Sequence, residues 1–238
     1  MNRDMQLYYD YTVSPLGQVF YKTLFSQLDN INNKKLLDFG SGFGFTTNFL
    51  AKNNDVTAIE IDKTMIDYCE NKGDFQQIYG GLDKVKEMKD ETFDVVTCHL
   101  VLEFVDNMSE ILKELIRVLK KDGVLSIVRH NKNGRIIQAV VQDYDLEDAQ
   151  NLLDGGFSFS SAFGDIKYYS NDDIINMVTD DLEVKEINAI RVLASLHSQE
   201  IQNSENWIEK ILEIECKLVK NKDFINMAYF NHIIFIKK

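Results

Sequence analysis

Leu37-Asp38-Phe39-Gly40-Ser41-Gly42-Phe43-Gly44 is the stretch around which the rest of the chain arranges itself. Before it, Lys34 to Phe39 is a short apolar run with the length of a buried strand. After it, Thr46 to Lys52 has the apolar content of a helix. A strand, a turn with glycine at alternate positions and a helix, in that order, place the turn at the carboxyl end of the first strand of an α/β sheet, where such sheets bind ligands. Glycine there lets the backbone approach a ligand without a Cβ in the way. The second requirement is an acid at the end of the next strand. Val56 to Ile61 is that strand, and Glu60 stands near its end, 20 positions after Gly40.

Outward from this unit the alternation continues. Thr64 to Asn71 is expected to be a helix, Phe75 to Tyr79 and Phe93 to Cys98 strands, and Ser109 to Leu119 a helix with Ile111, Leu112, Leu115, Ile116 and Leu119 on one face. Lys121-Asp122-Gly123 is expected to turn the chain into a fifth strand, Val124 to Arg129. Crossovers of this kind require a mostly parallel sheet with helices on both faces, wound right-handed. Leu16, Val19, Phe20, Leu24, Phe25 and Leu28 recur at helical spacing and predict one helix, Tyr8 to Asp29, ahead of the sheet. Leu182 to Ser195 and Met227 to Ile236 are expected strands, with a helix from Asn206 to Val219 between them. The fold class is thus α/β, a Rossmann-like doubly wound sheet with an N-terminal helix and an insert after strand five. Residues 1–238 are expected to form a single domain: a core at 30–130, a polar, glycine-containing substrate-capping insert at 131–181, and final strands and helix at 182–238.

Composition narrows the class. The 238 residues are 45% hydrophobic, enough for a full core, and no apolar run approaches the roughly 20 residues of a membrane span. Met1 to Gln6 is too polar for a signal-peptide core, so the protein is expected in the cytoplasm. Cys69, Cys98 and Cys216 are too far apart for a metal motif, so no metal is expected and the thiols are expected to be reduced. The net charge of −12 works against nonspecific capture of a polyphosphate backbone. The charge runs Lys84 to Glu91 and Glu183 to Glu186 are expected to be solvated faces.

The glycine turn fits D-x-G-x-G-x-G. A nicotinamide fingerprint, G-x-G-x-x-G, fails because its third glycine falls on Phe45 when counted from Gly40 and on Thr47 when counted from Gly42. Asp38 to Gly44 with Glu60 instead resembles the site of enzymes that bind S-adenosyl-L-methionine, which is the cofactor this resemblance implies. Asp38 can receive its amino group and Glu60 both ribose hydroxyls, with Gly40, Ser41 and Gly42 forming the turn. Tyr79-Gly80-Gly81-Leu82-Asp83 ends strand three, where Gly81 leaves room for an adenine and Leu82 covers its face. His99 and Glu103, following strand four, are expected to line the reaction cleft.

These residues resemble the class I S-adenosylmethionine-dependent methyltransferases, and within them the bacterial family that methylates the carboxylate of 5-carboxymethoxyuridine in tRNA. The resemblance covers most of the chain. It is carried by Tyr11 with Gly17-Gln18, Asp38 to Gly44, Met65-Ile66-Asp67, His99 with Val101-Leu102-Glu103, Asp122 to Ser126, Asn131 with Gly134, Arg191-Val192 and Leu212-Glu213. It implies that Gly40, Ser41, Glu60, Leu82 and His99 hold the cofactor, and that the last two strands pair antiparallel at one sheet edge. The family's basic residue in the N-terminal helix falls on Phe20 here, with Lys22 the nearest cation.

Methyl transfer from a sulfonium is an in-line displacement with an already activated donor, so the protein supplies mainly orientation and a dry cleft. A carboxylate acceptor needs no general base but does need a bidentate cation, for which Arg129, Arg135 and Arg191 are the candidates, Arg191 preferred. A hydroxyl or amine acceptor needs a base, for which His99, His130 and Glu103 are the candidates, with Tyr11 positioning the acceptor. The acceptor is accordingly expected to be either tRNA or a small molecule. A third possibility is a noncatalytic cofactor-binding module.

Overall fold

The computed structural model describes residues 1–69 and 73–238. In chain order its elements are α1 (Arg3–Val13), α2 (Pro15–Leu28), β1 (Lys35–Phe39), α3 (Phe45–Leu50), β2 (Asp55–Glu60), α4 (Lys63–Asp67), β3 (Gln76–Tyr79), α5 (Leu82–Lys86), β4 (Phe93–His99), α6 (Met108–Val118) and β5 (Leu119–His130). The second half runs α7 (Lys132–Gln138), α8 (Leu146–Leu153), β6 (Ser158–Ser160), β7 (Gly164–Ile166), α9 (Asn171–Val178), β8 (Leu182–Ile190), α10 (Gln199–Gln202), α11 (Trp207–Leu218), α12 (Lys222–Ile225) and β9 (Phe230–Lys237). The chain divides into two compact units. One comprises 27–128, 172–186 and 233–238, and the other 1–26, 129–171 and 187–232.

The first unit is built on the seven-stranded sheet, in the order β3-β2-β1-β4-β5-β9-β8. The pairs β1 with β2, β1 with β4, β2 with β3 and β4 with β5 are all parallel, which is the doubly wound arrangement the alternation predicts. Leu36, Leu37, Ala58, Val96, Leu125 and Ile127 are buried from strands covered on both faces. Burying each such leucine or isoleucine contributes roughly 1.5–3 kcal/mol. Register does the positioning. Phe39 pairs with Ile59 on one side and with Cys98 on the other, so Gly40, Glu60 and His99 leave the sheet side by side at its carboxyl edge.

Several boundaries differ from expectation, for local reasons. The single N-terminal helix is two helices, because Ser14 is extended (φ −61°, ψ 168°) ahead of Pro15, whose ring disfavours a helical neighbour. Asn2 starts α1 earlier than predicted, its side chain accepting from the Met5 amide. The expected turn at Lys121 to Gly123 lies inside β5, where Asp122 is left-handed at φ 59° and the pairing with β4 shifts register between Phe93 and Val95. β8 stops at Ile190, because Arg191 has φ 58°. The helix expected over Thr64 to Asn71 is present as far as Asp67, and its predicted end at Glu70 and Asn71 lies outside the described residues. The charge run Lys84 to Glu91 begins inside the short helix Leu82–Lys86, whose lysines pair with Glu87 and Glu110 at the surface.

The second unit packs Leu16 and Val19 of α2 against Ala194, Trp207 and Ile211, and Ala189 and Val192 against Ile225 and Ala228. It carries the first part of the insert: α7, a π-helical turn at Ala139–Asp143, α8 and the antiparallel hairpin of β6 and β7. Gly134 of α7 lies so close to the chain at Ala228 that a Cβ would sit 2.2 Å from its carbonyl oxygen. Among the described residues no helix is long and apolar enough to cross a membrane, and no group of ligands suits a metal ion. None of the three cysteines forms a disulfide; Cys69 and Cys98 are buried and Cys216 is exposed.

Candidate functional site

In the sheet unit, the turn after β1 takes its shape from glycine. Gly40, Gly42 and Gly44 have φ of 76°, 54° and 78°, a region that side chains disfavour. A Cβ on Gly40 would lie 2.3 Å from Val101 Cγ2, and one on Gly44 2.5 Å from Cys69 Sγ. At Gly42 the nearest neighbour is Met65 Sδ at 3.8 Å, so that position is left open. The amides are arranged differently from the expectation that they face a ligand. Gly40 and Ser41 both donate to the Ile59 carbonyl, Gly44 donates to Ser41, and Gly42 donates to Glu60 Oε2 at 2.7 Å. These glycines supply curvature and open space rather than free donors.

Glu60, 6% exposed, ties this turn to the end of β2: Oε2 accepts from Gly42 and Oε1 from Asp62. Burial raises its pKa, against the pull of the amides of Asp62, Gly42 and Ile61. Asp38 is 2% exposed, with Thr47 Oγ1 donating to one oxygen at 2.5 Å and Thr97 Oγ1 to the other at 2.7 Å. Burial raises this pKa too, with the two hydroxyls opposing it. Asp38 therefore fastens β1 to α3 and β4 from beneath the turn. Ser41 is buried, with Gln77 Nε2 at 3.5 Å. Gly81 caps α5 and takes its amide to Asp83 Oδ1, and Leu82 beside it is half-buried.

Ile61 follows Glu60 and is 70% exposed, with its Cδ1 3.5 Å from where a Gly81 Cβ would stand. A large apolar residue thus stands open directly after the strand-end acid. The signal was available in Glu60-Ile61, where the apolar run continues one residue beyond the acid. An open glycine, a buried strand-end carboxylate and an exposed isoleucine beside Gly81 are thus gathered at the carboxyl edge of the sheet.

At the end of β4, His99 Nε2 meets Ser126 Oγ at 2.8 Å. Glu103, expected to line a cleft, is 2% exposed in the 3₁₀ turn Leu102–Phe104. Burial, and after it the charges of Glu103 and Asp38, push the Cys98 thiol well above its ordinary value, so it stays protonated and inert.

The candidate arginines belong to the second unit. Arg129 is 4% exposed and donates from Nε and Nη2 to Asn171 Oδ1, from Nη2 to Asn231 Oδ1 and from Nη1 to the His130 carbonyl. That makes it a brace between segments distant in sequence. Arg135 pairs with Asp143 and Asp148 within the insert. His130 packs on Tyr229 and Phe230, and Phe20, in place of the family's cation, packs on Phe230 as core. Lys22 is exposed.

Arg191 is 1% exposed. Its Nε donates to Ser195 Oγ at 3.0 Å and Nη1 to the Tyr11 hydroxyl. The rings of Tyr229, Phe230 and Tyr11 lie 4.8, 5.2 and 5.6 Å from its Cζ. Desolvation and the neighbouring Tyr11 raise the Tyr229 phenol, against the pull of Arg191, so Tyr229 offers Arg191 no phenolate. The left-handed turn is held by Glu215 of α11, 1% exposed, which accepts from the amides of Val192, Leu193 and Ala194 at 2.7–2.8 Å. Glu215 went unnoticed in the sequence, where its mark is an acid in the buried stripe of Trp207 and Ile211.

The family model for a methyltransferase domain matches residues 37–127. The ubiquinone biosynthesis O-methyltransferase of Rickettsia felis is 23% identical over 199 residues, 79% of this chain and 77% of that protein. The Coxiella burnetii protein of the same name is 31% identical over 108 residues, 43% of this chain and 46% of its own length. Among solved structures, a methyltransferase from Thermotoga maritima described as a possible histamine N-methyltransferase aligns with a TM-score of 0.66 at 16% identity, covering 98% of this chain and 96% of that one. An S-adenosylmethionine-dependent methyltransferase from Archaeoglobus fulgidus aligns with a TM-score of 0.58 at 17% identity, covering 92% and 94%.

Proposed function

We propose that this chain is a class I S-adenosylmethionine-dependent methyltransferase and that it methylates an oxygen of a small organic acceptor. The observation that carries the cofactor half is the left-handed glycine turn with Glu60 in register beside it. The acceptor half is supported by the relatives named for O-methylation and by a net charge of −12, which disfavours a polyanionic substrate.

In this reading Glu60 accepts from the ribose hydroxyls through the lone pairs that Gly42 and Asp62 leave over. Ile61 and Leu82 flank the adenine, with Gly81 giving it room. The open side of Gly42 admits the methionine tail, and Asp38 holds the turn that receives it. The cofactor supplies an electrophilic methyl group on a sulfonium. For a hydroxyl acceptor a base is needed, and the His99 imidazole, anchored at Nε2 by Ser126, is assigned that proton. Glu103 and Arg129, both buried, act as supports for the segments that carry them. In this reading residues 1–238 form a single catalytic domain, with the insert at 131–181 assigned to the acceptor.

A second reading, methylation of a carboxylate such as that of 5-carboxymethoxyuridine in tRNA, is favoured by one observation, the buried guanidinium of Arg191 at the position that family resemblance marks. One experiment separates the two. The purified protein is incubated with methyl-labelled S-adenosylmethionine and either bulk tRNA from cells lacking this gene or a small-molecule extract of the same cells. Label in the small-molecule fraction is expected. Base-labile label in tRNA establishes the carboxyl ester instead, and label in neither pool, with the cofactor bound, removes both acceptors.

A further inference from the structure

The observation that asks for an explanation is the charge state of Arg191. A guanidinium removed from water requires either a counter-ion or a full set of acceptors, because an uncompensated buried charge is among the costliest features a fold can hold. Arg191 is the largest of the fully buried side chains, and its partners are two neutral hydroxyls and three ring faces. Ring faces attract a cation but do not satisfy its N–H groups. Among the described residues Nη2 has no hydrogen-bond partner. Glu215, the acid that holds the adjoining turn, has both oxygens taken by the amides of Val192, Leu193 and Ala194.

We propose that Arg191 is an anion subsite and that its ligand is the carboxylate of a small, flat organic acid, received at Nη2. The inference rests on the methyltransferase reading only in taking that acid to be the acceptor. Three features select a carboxylate over a phosphate. The guanidinium is planar and pairs edge-on with a planar carboxylate. The walls beside it are the flat, apolar rings of Tyr229, Phe230 and Tyr11, which suit an aromatic or unsaturated frame. Neither neighbouring arginine supplies a second cation for a doubly charged group: Arg135 of the same unit is neutralised by Asp143 and Asp148, and Arg129 is bonded to Asn171, Asn231 and the His130 carbonyl.

The backbone supports the same conclusion. Arg191 holds φ 58°, a conformation that L side chains adopt rarely, and a buried carboxylate keeps it there. That arrangement fixes the direction of the side chain. Entry is at Tyr11, which is 41% exposed and sits on α1, a helix with Met5 and Thr12 as its buried residues.

The test is calorimetric titration of benzoate and its neutral isostere benzamide into the full chain, wild type and Arg191→Lys, with S-adenosylmethionine binding measured separately on each. Benzoate is expected to bind the wild type at least roughly tenfold more tightly than benzamide, from the charge-assisted pair, and Arg191→Lys is expected to lose that preference. Tyr11→Phe, which leaves Nη2 in place, is expected to keep it. Equal binding of benzoate and benzamide by the wild type, or a preference unchanged in Arg191→Lys, overturns the subsite. Should Arg191→Lys fail to fold, a crystal of the wild type grown with benzoate decides, by a carboxylate on Nη2 or one seated elsewhere. Loss of cofactor binding in the wild type would sink the methyltransferase reading and leave the carboxylate subsite standing. Intact cofactor binding without benzoate preference sinks the subsite alone.

Discussion

The turn at 40–44 and the turn at 190–194 solve one problem by different means. Each leaves the end of a strand through left-handed backbone, and each is clamped by a buried carboxylate that accepts main-chain amides, Glu60 in the first and Glu215 in the second. In the first, the left-handed residues are glycines, so the conformation is intrinsic to the sequence and the clamp refines it. In the second, the left-handed residue is Arg191, and the clamp has to impose what the residue resists. The difference predicts that the second turn depends far more on its carboxylate than the first does.

The largest expected effect follows directly. Glu215→Ala leaves three amides without acceptors, two of them in fully buried bonds, and should destabilise the folded chain by about 3–5 kcal/mol in chemical denaturation. A loss under about 1 kcal/mol would show that the turn at Arg191 holds itself and would break the comparison.

Next is the glycine turn. Gly40→Ala combines a left-handed alanine with a Cβ 2.3 Å from Val101 Cγ2, and should cost about 2–3 kcal/mol. Val101→Ala removes the clash but leaves the backbone as it was, so the double variant should recover roughly 1 kcal/mol or more relative to simple additivity. A strictly additive pair would mean that the penalty is entirely conformational.

The clamping carboxylates also give the sheet unit a pH signature. Burial raises the pKa of both Asp38 and Glu60 in the folded chain. Between those raised values and the ordinary 3.8 and 4.5 the folded state therefore binds more protons than the unfolded one. Their contribution to stability accordingly grows as pH falls through the folded values and levels off below the ordinary ones. Asp38→Asn should flatten part of that slope in a series of urea titrations. A wild-type profile whose slope Asp38→Asn leaves unchanged would show that Thr47 and Thr97 fully compensate the burial.

How far the sequence was legible follows the same division. The strands through β5, their parallel pairing and the glycine turn after β1 were readable because their determinants are local: apolar runs of strand length and glycines at alternate positions. The split of the N-terminal helix at Ser14 was readable in principle from Pro15 and was overridden by the apolar stripe of α2. The surroundings of Arg191 were not readable, because Tyr11, Ser195, Glu215 and Tyr229 are brought together only by tertiary packing. The expected lining role of Glu103 and the expected acceptor role of Arg129 relied on their positions after strands, and strand position does not specify which way a side chain is buried.

Ile61 provides the finest test, because it lies beside the glycine turn without taking part in its folding. At 70% exposure its side chain contributes little to the core, so Ile61→Ser should leave stability within about 0.5 kcal/mol of wild type. If the isoleucine covers the adenine, the same change removes apolar area from a bound nucleoside and should weaken S-adenosylmethionine by about 1 kcal/mol, near fivefold in a binding titration. S-adenosylhomocysteine should lose the same factor, because the two ligands share the adenosine and differ only at the sulfur. Loss of affinity for one and not the other would move Ile61 from the adenine to the reacting end, and with it the assignment of Gly81 and Leu82 as the base's other neighbours. Unequal losses of that kind would leave Glu60 and the turn as the only anchored part of the cofactor site.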